Sequence, residues 1–159
     1  MPAWVLTWLP VVLGYPCRTV HSTIQTLTTQ HGELRVRLAR ISALVDAGHI
    51  DAVAAALAEL KVLLVTHLEL EDGTLYPSMA QMTRGMKKTV QVVTAETYRI
   101  NMQGVSASLL AFFERYCDDF ELSDFAHDWP LVLKMLLDRM ESEESTLYPM
   151  YDKWSADST

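Results

Sequence analysis

Apolar positions recur along this chain at steps of three and four. From about Arg18 to Ala47 they fall at Ile24, Leu27, Leu34, Leu38, Ile41 and Val45, and His31 fills the gap in the series. That spacing lines one face of a helix. Gly48 and His49 then supply a C-terminal stop. A second helix is expected from about Asp51 to Met82, with Val53, Ala56, Leu60, Leu63, His67, Leu70, Glu71 and Thr74 on its stripe. Asp51 favours its start electrostatically; Gly73 and Pro77 should kink or end it. A third runs from about Thr89 to Cys117, through Tyr98, Met102, Val105, Leu109, Phe112 and Tyr116. A fourth should begin near Asp128 as N-cap, with Pro130 in its first turn. Its stripe is Val132, Met135, Arg139, Glu143, Thr146 and Met150. No segment alternates with strand period, and the connections are short. The expectation is an all-α, antiparallel up-down-up-down four-helix bundle.

One motif occurs twice. Glu71-Asp72-Gly73-Thr74-Leu75-Tyr76-Pro77 recurs as Glu143-Glu144-Ser145-Thr146-Leu147-Tyr148-Pro149, late in alternate helices. The chain reads as two duplicated helical hairpins. Tyr76 and Tyr148 read as packing residues of the repeat.

Polar residues interrupt the apolar stripes at His31, His67, Glu71, Tyr98, Arg139 and Glu143. Burying such groups costs several kcal/mol unless they are paired or bind a metal. Counted from the centres of the connecting loops, His31 and His67 are level. So are Tyr98 and Glu143, with Arg139 one turn away. All six therefore converge on one layer. His67 and Glu71 share a helix face one turn apart, a spacing suited to one metal or to a carboxylate bridge between two. Imidazole with carboxylate suits iron, manganese or zinc. His21, His49 and His127 read as surface or loop residues. Asp72 and Glu144 could support ligands from behind.

Composition narrows the function. The 159 residues suffice for one domain with one core, 50% hydrophobic and 21% charged. A net charge of −7 argues against a hold on nucleic acid. Cys17 and Cys117 are isolated, with no CxxC spacing, and read as free thiols of a reducing cytoplasm. Residues 1–17 form an apolar N-terminal arm, residues 18–154 the bundle and residues 155–159 a tail. The arm lacks a basic start, and Pro10, Gly14 and Pro16 interrupt it. It is shorter than the ~20 residues of a membrane span. It is expected to pack Trp4 and Trp8 on the bundle, on a second copy or on a protein partner, rather than on a membrane.

The run His67-Leu68-Glu69-Leu70-Glu71-Asp72-Gly73-Thr74-Leu75-Tyr76-Pro77 resembles the H-x-x-x-E-[ED]-x-x-[LI]-[YF]-P signature of hemerythrin-like, cation-binding HHE domains. Gln30-His31-Gly32-Glu33-Leu34-Arg35 is similar to that family's first-helix histidine motif. The resemblance covers about Thr19 to Lys153. It implies a non-haem di-iron centre with a histidine from the first helix, HxxxE from the second, a histidine from the third and HxxxE from the fourth. His31, His67, Glu71 and Glu143 match. The fourth-helix histidine falls on Arg139, and the third falls near Ala95-Glu96-Thr97-Tyr98, where there is none. Tyr98 is the preferred substitute ligand, ahead of Glu96. The expectation is a mono- or di-iron site, with manganese or zinc as other metals, handling or sensing O2, NO or peroxide. The alternative is a metal-free interaction or regulatory module with an Arg139–glutamate ion-pair core. A hydrolytic zinc enzyme is disfavoured, because no nucleophile or base outside the ligand set reaches the layer.

Overall fold

The structure is a computed structural model that describes residues 18–84, 90–116 and 120–157. Helix α1 (Arg18–Asp46) ends as its sequence demands. Gly48 takes φ +74°, its N–H bonds the Val45 carbonyl at 3.0 Å, and the His49 N–H bonds that of Leu44 at 3.1 Å. These paired bonds close a Schellman stop.

Helix α2 (Ile50–Leu70) continues through a wide π turn (Glu71–Leu75) into α3 (Tyr76–Met82). Gly73 and Pro77 therefore do not end this helix. The Tyr76 N–H reaches back to the Glu71 carbonyl, five residues away. The widened turn accommodates Pro77, which has no N–H and whose ring would crowd an ordinary α turn. The same device follows α5 (Leu122–Ser142), where a π turn (Glu143–Leu147) leads into α6 (Tyr148–Asp157). The repeated motif thus encodes two matching π turns. Each inserts one residue and moves the buried face along by one. Leu75 and Tyr76 are buried where Thr74 was expected, and Leu147, Tyr148 and Tyr151 where Thr146 and Met150 were.

Between these rods runs α4 (Val90–Arg115), whose inner face buries Leu109, Phe112 and Phe113 and whose outer face exposes Val90, Val93 and Ile100. The fourth rod begins at Leu122, not near Asp128, so Pro130 lies inside the helix rather than in its first turn. The early start places Phe125 and Trp129 in the core. Burying one such side chain contributes about 1.5–3 kcal/mol, and two together outweigh the ~3 kcal/mol cost of an interior proline. Asp128 is no cap. It accepts hydrogen bonds from Arg115 Nη1 at 2.8 Å and the Tyr116 hydroxyl at 2.7 Å, tying α5 to the end of α4.

α1 packs on α2, α5 and α6, and α4 packs on α2 and α5. The four rods make an all-α four-helix bundle. Its core is two apolar slabs. One holds Leu34, Leu38, Leu60, Leu64, Phe113 and Leu136; the other holds Leu27, Leu75, Met79, Leu147, Tyr151 and Trp154. In sequence His31 falls between Leu27 and Leu34, and Glu143 between Met140 and Leu147, so the polar layer lies where the slabs meet. Among the described residues, no helix is long and apolar enough to cross a membrane. The expected arm with Trp4 and Trp8, and both cysteines, lie outside the described residues.

Candidate metal centre

Five of the six polar residues that interrupt the stripes are brought together, and all five are buried: His31, His67, Glu71, Arg139 and Glu143. α1 contributes His31 and α2 contributes His67. Glu71 and Glu143 open the two π turns, and Arg139 lies one turn before Glu143. The Nε2 atoms of His31 and His67 are 3.2 Å apart. Glu143 Oε2 is 3.1 Å from His31 Nε2 and 4.0 Å from His67 Nε2, and Glu71 Oε1 is 3.6 Å from His67 Nε2. Neither carboxylate oxygen has a hydrogen-bond partner among the described residues.

The other ring nitrogens explain this convergence. His31 Nδ1 is 2.8 Å from Glu144 Oε1, and His67 Nδ1 is 3.0 Å from Gln30 Oε1. Both partners are acceptors, so each Nδ1 carries the proton and each Nε2 turns a bare lone pair inward. Facing lone pairs at 3.2 Å call for a cation between them, a proton or a metal ion. Burial above all, with the Arg139 charge adding to it, pushes the His67 imidazole down to about 3, so it stays neutral and able to ligate.

Metal–nitrogen and metal–carboxylate bonds run about 2.0–2.2 Å, so neighbouring ligands of one ion lie about 3.0–3.4 Å apart. The 3.2 and 3.1 Å separations fall in that range. One donor atom each from His31, His67 and Glu143 lie within 4.8 Å of one another. The residues present thus fit a metal ion.

Arg139 occupies the far side of the carboxylates. It donates from Nη2 to Glu71 Oε2 at 2.6 Å and from Nε to Glu143 Oε1 at 2.7 Å. Nη1 bonds Ser106 Oγ at 2.8 Å and the Met102 carbonyl at 3.3 Å. One guanidinium cannot balance two buried carboxylates. Burial alone would raise Glu143, but the Arg139 guanidinium beside it holds it below the usual carboxylate range. Glu71 carries the imbalance: burial and the Glu143 charge push it up to about 8, against the pull of Arg139. A metal ion beside it would favour the ionised form again.

Tyr98 does not join the donors; its hydroxyl is hydrogen-bonded to Ser142 Oγ. Sequence reasoning gave no place in the site to Gln30 and read Tyr148 as packing. The Tyr148 hydroxyl lies 3.3 Å from His31 Nε2, and the buried Tyr76 hydroxyl has no partner among the described residues. The repeat was the available signal, since both tyrosines follow a core glutamate by one π turn. Glu144 proves to be the acceptor for His31, and Arg35 grips it through Nη1 and Nη2 at 2.9 and 3.0 Å. Its solvent side opens on a surface cleft lined by Arg35, Leu137, Glu141 and Ser145.

A four-helix bundle with inward histidines and carboxylates defines a class, the bundle proteins that hold metal between facing helices. The chain matches the model of the hemerythrin HHE cation binding domain over residues 22–151 and belongs to that family. No curated protein and no solved structure matches it significantly.

Proposed function

We propose that this chain is a non-haem metal-binding hemerythrin-like protein that handles or senses O2, NO or peroxide at a modified mono- or di-iron site. Iron is the first choice of metal, with manganese or zinc able to occupy the same donors. The carrying observation is the pair of Nε2 atoms facing each other at 3.2 Å beside Glu143, each ring's Nδ1 being taken up by an acceptor from behind. His31, His67 and Glu143 would hold the ion, with Glu71 closing in on the His67 side. A bound iron would offer an open position to a small ligand. Leu27, Leu34, Leu64 and Leu75 keep bulk water from the layer, and the Tyr148 hydroxyl adds a hydrogen-bonding group beside it. With the isolated cysteines, this reading places the protein in the cytoplasm.

A metal-free module with an ion-pair core accounts for Arg139 less completely. It leaves Glu71 Oε1 and Glu143 Oε2 buried without partners, each costing about 1–3 kcal/mol or more. Elemental analysis of protein purified without chelators, with an optical spectrum of the same sample, separates the readings. Bound metal that disappears in His67→Ala supports the proposal. No metal even after anaerobic ferrous addition would sink it.

A further inference from the structure

We propose that the Arg139 guanidinium takes the place of a second metal ion, so that each chain binds one ion, on the His31–His67–Glu143 side. This rests on the metal-binding reading above and goes further by fixing the number of ions and the ligands they can take.

The oxygens of the two carboxylates carry the argument. Each glutamate divides its pair of oxygens between the two sides of the layer. Glu71 gives Oε2 to Arg139 and leaves Oε1 toward His67. Glu143 gives Oε1 to Arg139 and leaves Oε2 toward His31. Both carboxylates therefore bridge two cation positions, and a guanidinium already fills one. The repeat says the same of the sequence: His67 precedes Glu71 by one turn, and Arg139 precedes Glu143 by one turn.

Arg139 is also locked in place. It is 5% exposed, and Ser106, Met102, Glu71 and Glu143 take up Nη1, Nη2 and Nε. A guanidinium does not surrender its charge in a protein. One divalent ion with Arg139 balances the carboxylates with a single positive charge to spare. A second divalent ion would leave several like charges in a buried layer, which burial makes prohibitive.

The remaining donors are two histidines and one carboxylate, a set that leaves several positions of one iron open. The fitting ligand class is a small molecule held by a single ion, such as nitric oxide. Dioxygen stored as peroxide needs two electrons, which two irons normally share.

The test is the number of ions bound per chain under anaerobic ferrous excess, for the wild type and for Arg139→His. We expect about one ion in the wild type and a doubling in R139H, with near-ultraviolet oxo-bridge bands appearing after oxidation of the variant alone. Two ions in the wild type would overturn the inference and leave the metal-binding reading standing. One ion in both proteins would overturn the stand-in role of Arg139 in the same way. No ion in the wild type would remove both. Should R139H fail to fold, Arg139→Lys keeps a cation in place and is expected to bind one ion; two would overturn the inference.

Discussion

Removing the Glu144 carboxylate tests how far the layer depends on a residue at the bundle's edge. Its Oε1 is the acceptor for His31 Nδ1 at 2.8 Å, and His31 is fully buried. In Glu144→Ala that N–H loses its partner, a loss of about 1–3 kcal/mol. The pairing with Arg35 is half-exposed at both ends and adds only about 0–1 kcal/mol. The imidazole also loses what fixes its tautomer and ring orientation, and such losses weaken metal affinity about 10–100-fold. Three variants separate these effects. E144A should lose both stability and affinity. Glu144→Gln retains an acceptor oxygen and should lose less of each. Arg35→Ala leaves the His31 contact intact and should change affinity less than about threefold, as expected for a part-exposed ion pair. Chelator competition gives the affinities and urea melts the stabilities. Equal losses of affinity in R35A and E144A would refute the reasoning, because the effect would then come from surface charge rather than from the hydrogen bond to His31.

Other predictions address the scaffold. Gly48→Ala places a Cβ at φ +74° and should lower stability by about 1–2 kcal/mol, read by urea melts; no change would mean that the α1 stop relaxes. Pro130→Ala restores a helical N–H inside α5 and should raise stability by up to ~3 kcal/mol; a destabilised variant would show that the proline ring packs productively. Trp129→Ala removes a core side chain and its 2.9 Å hydrogen bond to Ser42 Oγ, with an expected loss of about 3–5 kcal/mol. Burial and then Asp128 raise the Tyr116 phenol to about 12. The folded chain therefore keeps a proton that the unfolded chain releases near pH 10, so stability should fall as pH rises from about 10 to 12. Tyr116→Phe should flatten that decline; an equally steep fall in the variant would assign it to other groups.

The bundle was legible because Leu27, Leu34, Leu38 and Ile41 repeat at helical spacing and Gly48 supplies a stop, and the structure follows both. The start of the fourth rod was not. A proline two residues after an aspartate reads locally as a helix start, whereas the burial of Phe125 and Trp129 is a tertiary effect. The convergence of His31, His67, Glu71, Arg139 and Glu143 could be counted from the loops, since rods of known rise fix depth. What supports them was legible in part: Glu144 was expected behind a ligand and faces His31 Nδ1. Gln30 resembles any other polar residue on a helix surface, and only the packing shows that it faces His67 Nδ1. Tyr98 had the depth of a ligand, but depth does not determine which neighbour a hydroxyl meets, and Ser142 is nearer to hand.

The π turns at Glu71–Leu75 and Glu143–Leu147 each absorb one extra residue without changing the phase of the helix that follows. Each helical residue advances the chain by about 100°, and the wide turn takes up one such step. Deleting Gly73, whose position is open and exposed, would convert the wide turn to an ordinary one and leave Leu75, Tyr76 and Met79 facing the core. The cost would fall on Pro77, whose ring would then meet the carbonyl four residues before it, at about 3 kcal/mol. Deleting Ser78 instead, beyond the turn, would rotate Met79 and the end of α3 off the core.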